Sequence, residues 1–222
     1  MPKTIFRQEI EIKLRVPDVS ALRARLKQLR AREISPRTHE SNTLYDTARQ
    51  SLRKRGQLIR IRTEQPASGV RRNRLPQDLA AILTYKGPPD SSARPSKSAT
   101  RFKIRRGFKV KSEAEVAVSG ADEIARILGG LGLQPAFRYE KFRTTFTLPG
   151  VRGLKIELDE TPVGIYLELE GIPSAIDRAA RLLGYDRSDY STETYGSLYL
   201  AACRRQGSKP GNMLFPPTKN LR

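Results

Sequence analysis

Ile10, Ile12 and Leu14 alternate with Glu9, Glu11 and Lys13. A strand over this stretch therefore has one wholly apolar face and one that reads acid, acid, base. The same placement recurs along the chain. Arg60 and Arg62 flank Ile61, Glu113 and Glu115 share a face, and so do Lys141 and Arg143; Lys155, Glu157 and Asp159 follow, then Glu168 and Glu170. At least six candidate strands carry ionisable groups of both signs at period two. If those faces converge, they line a cavity with carboxylates and cations, and its natural guest is a metal ion with a polyphosphate.

The remaining periodicity fills in the other elements. Val19, Leu22, Leu26 and Leu29 recur at helical spacing behind Pro17 and Asp18. Residues 42–47 read as a short strand, Arg53–Gly56 as a turn whose basic residues are surface charge, and 58–62 as a cleanly alternating strand. A loop is expected over 65–78, a strand over 81–86, and a mobile loop over 87–100. Residues 102–118 read as one or two strands broken near Gly107, and 122–131 as a short helix ended by Gly132. Strands are expected at 138–147, 153–159 and 164–170, a helix from a Ser174 cap to Leu183, and a last helix over 192–204. This order predicts one α+β domain over residues 1–204, with a sheet that closes or nearly closes on itself, and a basic, disordered tail over 205–222.

Composition sharpens the picture. The net charge of +19 resides in three segments, 49–62, 94–111 and 204–222, which contain no acidic residue. The remainder is formally neutral, which suits local anion sites rather than a uniform nucleic-acid coat. His39 is the only histidine and Cys203 the only cysteine, which argues against a zinc site and excludes an intrachain disulfide. Carboxylate oxygens point instead to a hard cation, Mg²⁺ or Mn²⁺. With no apolar leader at the N-terminus and no stretch approaching a membrane span, a soluble cytoplasmic protein is expected, with no membrane partner.

A barrel resolves the problem of two faces. Its lumen can be polar when it holds a ligand, with Ile10, Ile12 and Leu14 facing outward beneath amphipathic helices. Charges buried together must be paired or neutralised. Glu9, Glu11, Glu168 and Glu170 make two Glu-x-Glu pairs, with Asp159 nearby in sequence, and facing pairs of this kind can hold one or two octahedral metals. Lys13, Arg60, Arg62, Lys86, Lys141 and Arg143 are the candidates for gripping phosphate, because a guanidinium fork suits bidentate contact and a lysine acts as a point charge.

The chain resembles the CYTH superfamily, the triphosphate tunnel metalloenzymes, in an ordered series of motifs. These are Glu9-Ile-Glu-Ile-Lys13, Tyr45-Asp46-Thr47, Leu58-Ile-Arg-Ile-Arg62, Leu83-Thr-Tyr-Lys-Gly-Pro88, Lys111-Ser-Glu-Ala-Glu115, Lys141-Phe-Arg143, Leu158-Asp159 and Leu167-Glu-Leu-Glu-Gly171. The resemblance implies an antiparallel eight-stranded closed β-tunnel with flanking helices. By its matching positions, Glu9, Glu11, Glu168, Glu170 and Asp159 would serve the metal, and Arg60, Arg62, Lys86, Lys141, Arg143 and Lys13 the phosphates. Lys86 would be the proton acceptor, acting with Glu9 and Glu11 in catalysis; Glu113 and Glu115 are further tunnel candidates. Leu44 stands where some relatives carry an aromatic residue or histidine, so a tyrosine–lysine dyad there is absent, and Tyr45 and Tyr85 are the tyrosines to test.

Three functions follow as expectations. The first is a metal-dependent triphosphatase acting on tripolyphosphate or an organic triphosphate such as thiamine triphosphate or ATP. The second is a class IV adenylyl cyclase converting ATP to cyclic AMP and pyrophosphate. The third is a non-catalytic polyphosphate or RNA binder using the basic segments; the lack of an aromatic-interleaved basic motif weighs against nucleic acid.

Overall fold

The computed structural model describes residues 7–67, 81–89 and 107–216. Eight antiparallel strands close into a barrel: β1 (Arg7–Arg15), β2 (Arg32–Asp46), β3 (Leu58–Pro66), β4 (Ala81–Pro89), β5 (Lys109–Val118), β6 (Gln134–Thr147), β7 (Lys155–Thr161) and β8 (Gly164–Glu170). Around the wall the order is β1-β5-β4-β3-β2-β6-β7-β8, and β8 returns to pair with β1. Among the described residues five α-helices flank it: α1 (Val19–Gln28), α2 (Ser51–Lys54), α3 (Ala121–Gly130), α4 (Pro173–Leu182) and α5 (Tyr195–Gln206). No described helix is long and apolar enough to cross a membrane.

The core lies outside the barrel wall. Ile12 and Leu14 of β1 join Ile156, Leu158, Leu167 and Leu169 of β7 and β8, all fully buried, against Leu22 and Leu26 of α1 and Ile176, Ala179 and Ala180 of α4. Full burial of each large side chain contributes about 1.5–3 kcal/mol. With the apolar row spent outward, period two turns Glu9, Glu11 and Lys13 to the lumen. α3 covers Ile61 and Ala81 with Leu128, and α5 packs Tyr195 and Leu198 against Tyr139, Tyr166 and Met213.

Local signals set the helix ends. Asp18 caps α1, accepting from the Ala21 amide at 3.0 Å. Thr194 and Ser197 form a reciprocal capping box at the start of α5, and Gly207 ends it in the left-handed region at φ 64°. The expected Ser174 cap is absent: Pro173 occupies the first turn of α4 and Ile172 precedes it without a side-chain cap. Proline has no amide hydrogen to satisfy there, so a cap contributes less.

Other boundaries moved. β2 is fifteen residues long rather than a short strand at 42–47, with bulges between Glu33 and Ser35, Ser35 and Thr38, and Leu44 and Tyr45. β3 continues through the start of the expected 65–78 loop, and β4 takes in Gly87–Pro89; residues 68–80, 90–106 and 217–222 lie outside the described residues, with the remainder of both loop expectations and the 102–106 strand segment. The expected disordered tail departs most. Residues 207–216 run back along β6, Met213 is 1% exposed, and Met213 pairs with Tyr139 in a parallel bridge. Burial of Met213 and three backbone or side-chain bonds to Arg138 and Glu140 hold this segment: Met213 N to Arg138 O at 2.9 Å, Glu140 N to Met213 O at 3.0 Å, and Arg138 N to Asn212 Oδ1 at 2.9 Å.

Candidate functional site

The lumen forms a cavity of about 580 Å³ lined by Glu9, Glu11, Lys13, Arg60, Arg62, Lys86, Glu113, Glu115, Lys141, Arg143, Glu168 and Glu170. All the expected tunnel residues except Asp159 therefore share one wall surface. Register decides which charges meet. Glu11 stands opposite Glu170, and Lys13 opposite Glu168, on β1 and β8. Glu157 stands opposite Glu168, and Lys155 opposite Glu170, on β7 and β8. The β1–β8–β7 side thus gathers Glu11, Glu157, Glu168 and Glu170. β3 and β6 supply Arg60, Arg62, Lys141 and Arg143, and because β6 borders β7, Arg143 reaches Glu157 and Glu168, both at 2.5 Å.

Each acidic group is held by a cation. Lys13 Nζ lies 2.7 Å from Glu168 and 3.4 Å from Glu11, and Lys109 also bonds Glu11. Lys155 bonds Glu170 at 2.6 Å. Burial alone would raise the Glu11 carboxyl, but Lys13 and Lys109 outweigh it and hold Glu11 at about 2. Glu168 is driven well below the usual carboxylate range against its burial by Lys13 and Arg143. Glu157 goes the other way: burial, reinforced by Glu168 and Asp159, pushes it up to about 7 although Arg143 and Lys155 oppose this.

Glu9 faces β4 and β5, where it shares a cation with Glu113. It accepts from Lys86 at 2.6 and 2.7 Å, and Lys86 also lies 3.0 Å from Glu113. Burial would lower the Lys86 ammonium, yet Glu9 and Glu11 hold it above its ordinary value. Tyr85 faces away from the cavity lining, its hydroxyl accepting from Gln57 at 2.8 Å, whereas Tyr45 borders both the cavity and the α3 core.

Asp159 lies on the lumen face of β7 but is covered by its own partners, with no exposed surface. Its carboxylate accepts from Lys141 at 2.9 Å, from Arg143 Nε at 2.6 Å and from the Tyr195 hydroxyl at 2.6 Å. It orients the cations that face the lumen. Glu40 assists from β2, within 3.4 Å of Lys141 and 3.7 Å of both Arg62 and Arg143, and these cations hold its carboxyl at about 2 despite burial.

Sequence reasoning missed several members. Glu40 falls before the strand expected at 42, although alternation through Asn42 was there to extend it. Lys109, Tyr139 and Tyr195 line the cavity, as does Arg53, assigned to the surface with Lys54 and Arg55. Asp46 accounts for Arg53: its carboxylate accepts from the amides of Leu52 and Arg53, both at 2.9 Å, and sets α2 at the cavity edge.

The donor set fits a hard divalent cation. Four carboxylates occupy three adjacent strands, the all-oxygen donor set that a hard dication takes. Among the described residues, no three acidic, histidine or cysteine side chains already form a metal-ligand group. The lysine pairs to Glu11 and Glu170 would therefore open on loading.

Comparison with known proteins completes the description. No curated protein sequence matches the chain. A candidate adenylate cyclase from Vibrio parahaemolyticus shares its fold with a TM-score of 0.66 at 17% identity, over 87% of this chain and 98% of the other. The PH1819 protein of Pyrococcus horikoshii OT3 gives 0.62 at 22% identity, over 87% and 99%. HpAC1 from Hippeastrum, a candidate adenylyl cyclase described as having a dominant triphosphatase activity, gives 0.54 at 20% identity, over 91% and 97%. The CYTH domain family matches residues 7–195, most of the sequence. The chain belongs to the CYTH domain family.

Proposed function

We propose that this protein is a divalent-metal-dependent triphosphatase that hydrolyses tripolyphosphate or a related organic triphosphate inside the barrel. CYTH proteins process triphosphates as triphosphatases or class IV adenylyl cyclases, and the tunnel enzymes of the family depend on divalent metal. The observation that carries the reading is one cavity lined by both kinds of group: the carboxylates of Glu11, Glu157, Glu168 and Glu170 gathered on β1, β7 and β8, and the cations Arg60, Arg62, Lys141 and Arg143 of β3 and β6.

Arg60, Arg62, Lys141 and Arg143 bind the polyphosphate oxygens and neutralise the charge that builds on them as the bond breaks. Glu11, Glu157, Glu168 and Glu170 hold Mg²⁺ or Mn²⁺; Glu9 supports Lys86 on the neighbouring wall. The chemistry such a cation supplies is Lewis-acid polarisation of the phosphoryl oxygens and of the attacking water. The water oxygen bonds to the terminal phosphorus, the bond from that phosphorus to its bridging oxygen breaks, and the water's hydrogens are shared between the products, orthophosphate keeping one and the departing pyrophosphate oxygen taking the other. Lys86, gripped by Glu9 and Glu113 and raised above its ordinary value, acts as a charge and not as a proton acceptor.

An adenylyl cyclase is the second reading, favoured by one feature. Leu44, Phe137 and Leu200 border the same cavity and offer an apolar surface to an organic group. The deciding experiment offers tripolyphosphate and ATP in parallel with Mg²⁺ or Mn²⁺. Orthophosphate from tripolyphosphate without cyclic AMP supports the hydrolase. Cyclic AMP with stoichiometric pyrophosphate overturns it for the cyclase, and no product with either substrate, nor with thiamine triphosphate offered in the same way, overturns both.

A further inference from the structure

We propose that Tyr139 contacts the substrate, its phenolic O–H donating to an oxygen of the polyphosphate that Arg60 holds. The inference rests on the triphosphate reading above and adds a residue to it.

Tyr139 projects from β6 into the cavity lining. Its oxygen accepts from Arg60 Nη1 at 3.3 Å, so the hydroxyl hydrogen is still free to be given. Among the described residues no acceptor takes it. Arg60 is itself anchored on its other side, Nη2 reaching Thr84 at 3.1 Å and Glu115 at 3.2 Å, while its Nε has no partner. An unspent phenol hydrogen and an unspent guanidinium hydrogen thus belong to one contacting pair, and both suit an anion.

The ring is held in place. Phe137 stacks on it at 6.0 Å, Tyr195 packs at 6.3 Å, and Met213 and Leu44 fill the same cluster. The backbone on either side is clamped by Met213, bonded to Arg138 O and Glu140 N. Packing alone would be served by phenylalanine, as at Phe137. A hydroxyl added to so fixed a ring, beside a guanidinium, is a donor whose orientation is settled before the anion arrives. Arg60 and Lys141 also outweigh burial and hold the phenol below its ordinary range, which makes it the stronger donor.

The test is calorimetric titration of tripolyphosphate, as its non-hydrolysable imido-bridged analogue, into the full chain with Mg²⁺, comparing the native protein with Tyr139→Phe and Tyr139→His, and thermal melts alongside. Tyr139→Phe keeps the ring and should weaken binding about tenfold or more without a matching loss of thermal stability. Tyr139→His restores an N–H donor and should recover part of that loss. Native-like binding by Tyr139→Phe overturns the proposal and leaves the triphosphate reading standing. Weakening by both variants with a parallel fall in melting temperature overturns it in favour of a packing role. Failure of the native protein to bind tripolyphosphate overturns the triphosphate reading, and this inference with it.

Discussion

The Tyr195 hydroxyl donates to Oδ2 of Asp159 at 2.6 Å, tying the first turn of α5 to the carboxylate that aligns Lys141 and Arg143. The tyrosine ring also lies under two ammonium groups, Lys13 at 4.9 Å and Lys141 at 5.3 Å from its centroid. Losing the hydroxyl in Tyr195→Phe removes one of four donors to Asp159 and should raise KM for tripolyphosphate several-fold with a smaller change in kcat. Asp159→Asn strips the charge from a buried group that pairs with two cations, and should cost about 3–5 kcal/mol in urea unfolding.

Glu170 faces Glu11 across the β1–β8 ladder. If these acids hold the dication, Mg²⁺ or Mn²⁺ should raise the melting temperature of the native protein, since a ligand bound only by the folded state stabilises it. Glu170→Gln should lose most of that increase, and its metal-dependent turnover should fall about 100-fold. A metal-induced shift in Glu170→Gln equal to the native one would count against the assignment, and the melt reads this without any activity.

Acid should unfold the metal-free protein over a defined window. Glu11 and Glu40 are held at about 2, from an ordinary value of 4.5, and Glu168 well below 4.5. A carboxyl depressed in the folded state contributes stability above its unfolded value and loses it as pH falls through the folded one. Melting temperature in EDTA should therefore drop steeply from about pH 4.5 towards pH 2. Glu157, raised to about 7, has the opposite sign: the fold binds its proton more tightly, so stability declines as pH climbs from 4.5 to 7. Glu157→Gln should flatten that upper decline and leave the acid limb.

Met213 is buried in the cluster with Tyr139, Tyr166 and Tyr195. Met213→Ala should destabilise the chain by about 2–4 kcal/mol in urea unfolding, a core-sized effect. A change near zero would mean that residues 207–216 contribute nothing to the fold.

The sequence made some of this architecture legible and hid the rest for physical reasons. Glu9, Glu11 and Lys13 could be read because their apolar partners alternate without interruption, which fixes both face and side. Glu40 was harder to place because Pro36 and the bulges lie just ahead of it and obscure where β2 begins, although the alternation from Thr38 to Leu44 is unbroken. Partners across strands were invisible: Arg60 meets Glu115 over a separation of 55 residues, and only register brings them together. Asp159 shares the period of Lys155 and Glu157, yet it is enclosed by Lys141, Arg143 and Tyr195 and does not line the cavity. The segment at 207–216 looked disordered from its Gly, Pro and Lys content, and one methionine with three backbone-anchored bonds decided otherwise.

β1 pairs with β5 and β8, and not with β2, the strand that follows it in sequence. A ribosome releases Glu9, Glu11 and Lys13 long before Lys109 or Glu168 exists to meet them. Until then the strand has two open edges and one greasy face, and loop-closure entropy delays both pairings. Seam formation at β1 is thus a late event in the birth of the protein, and the apolar face of Ile12 and Leu14 reaches its full burial only when the strands and helices of its cluster, α1 and α4 among them, have assembled around it.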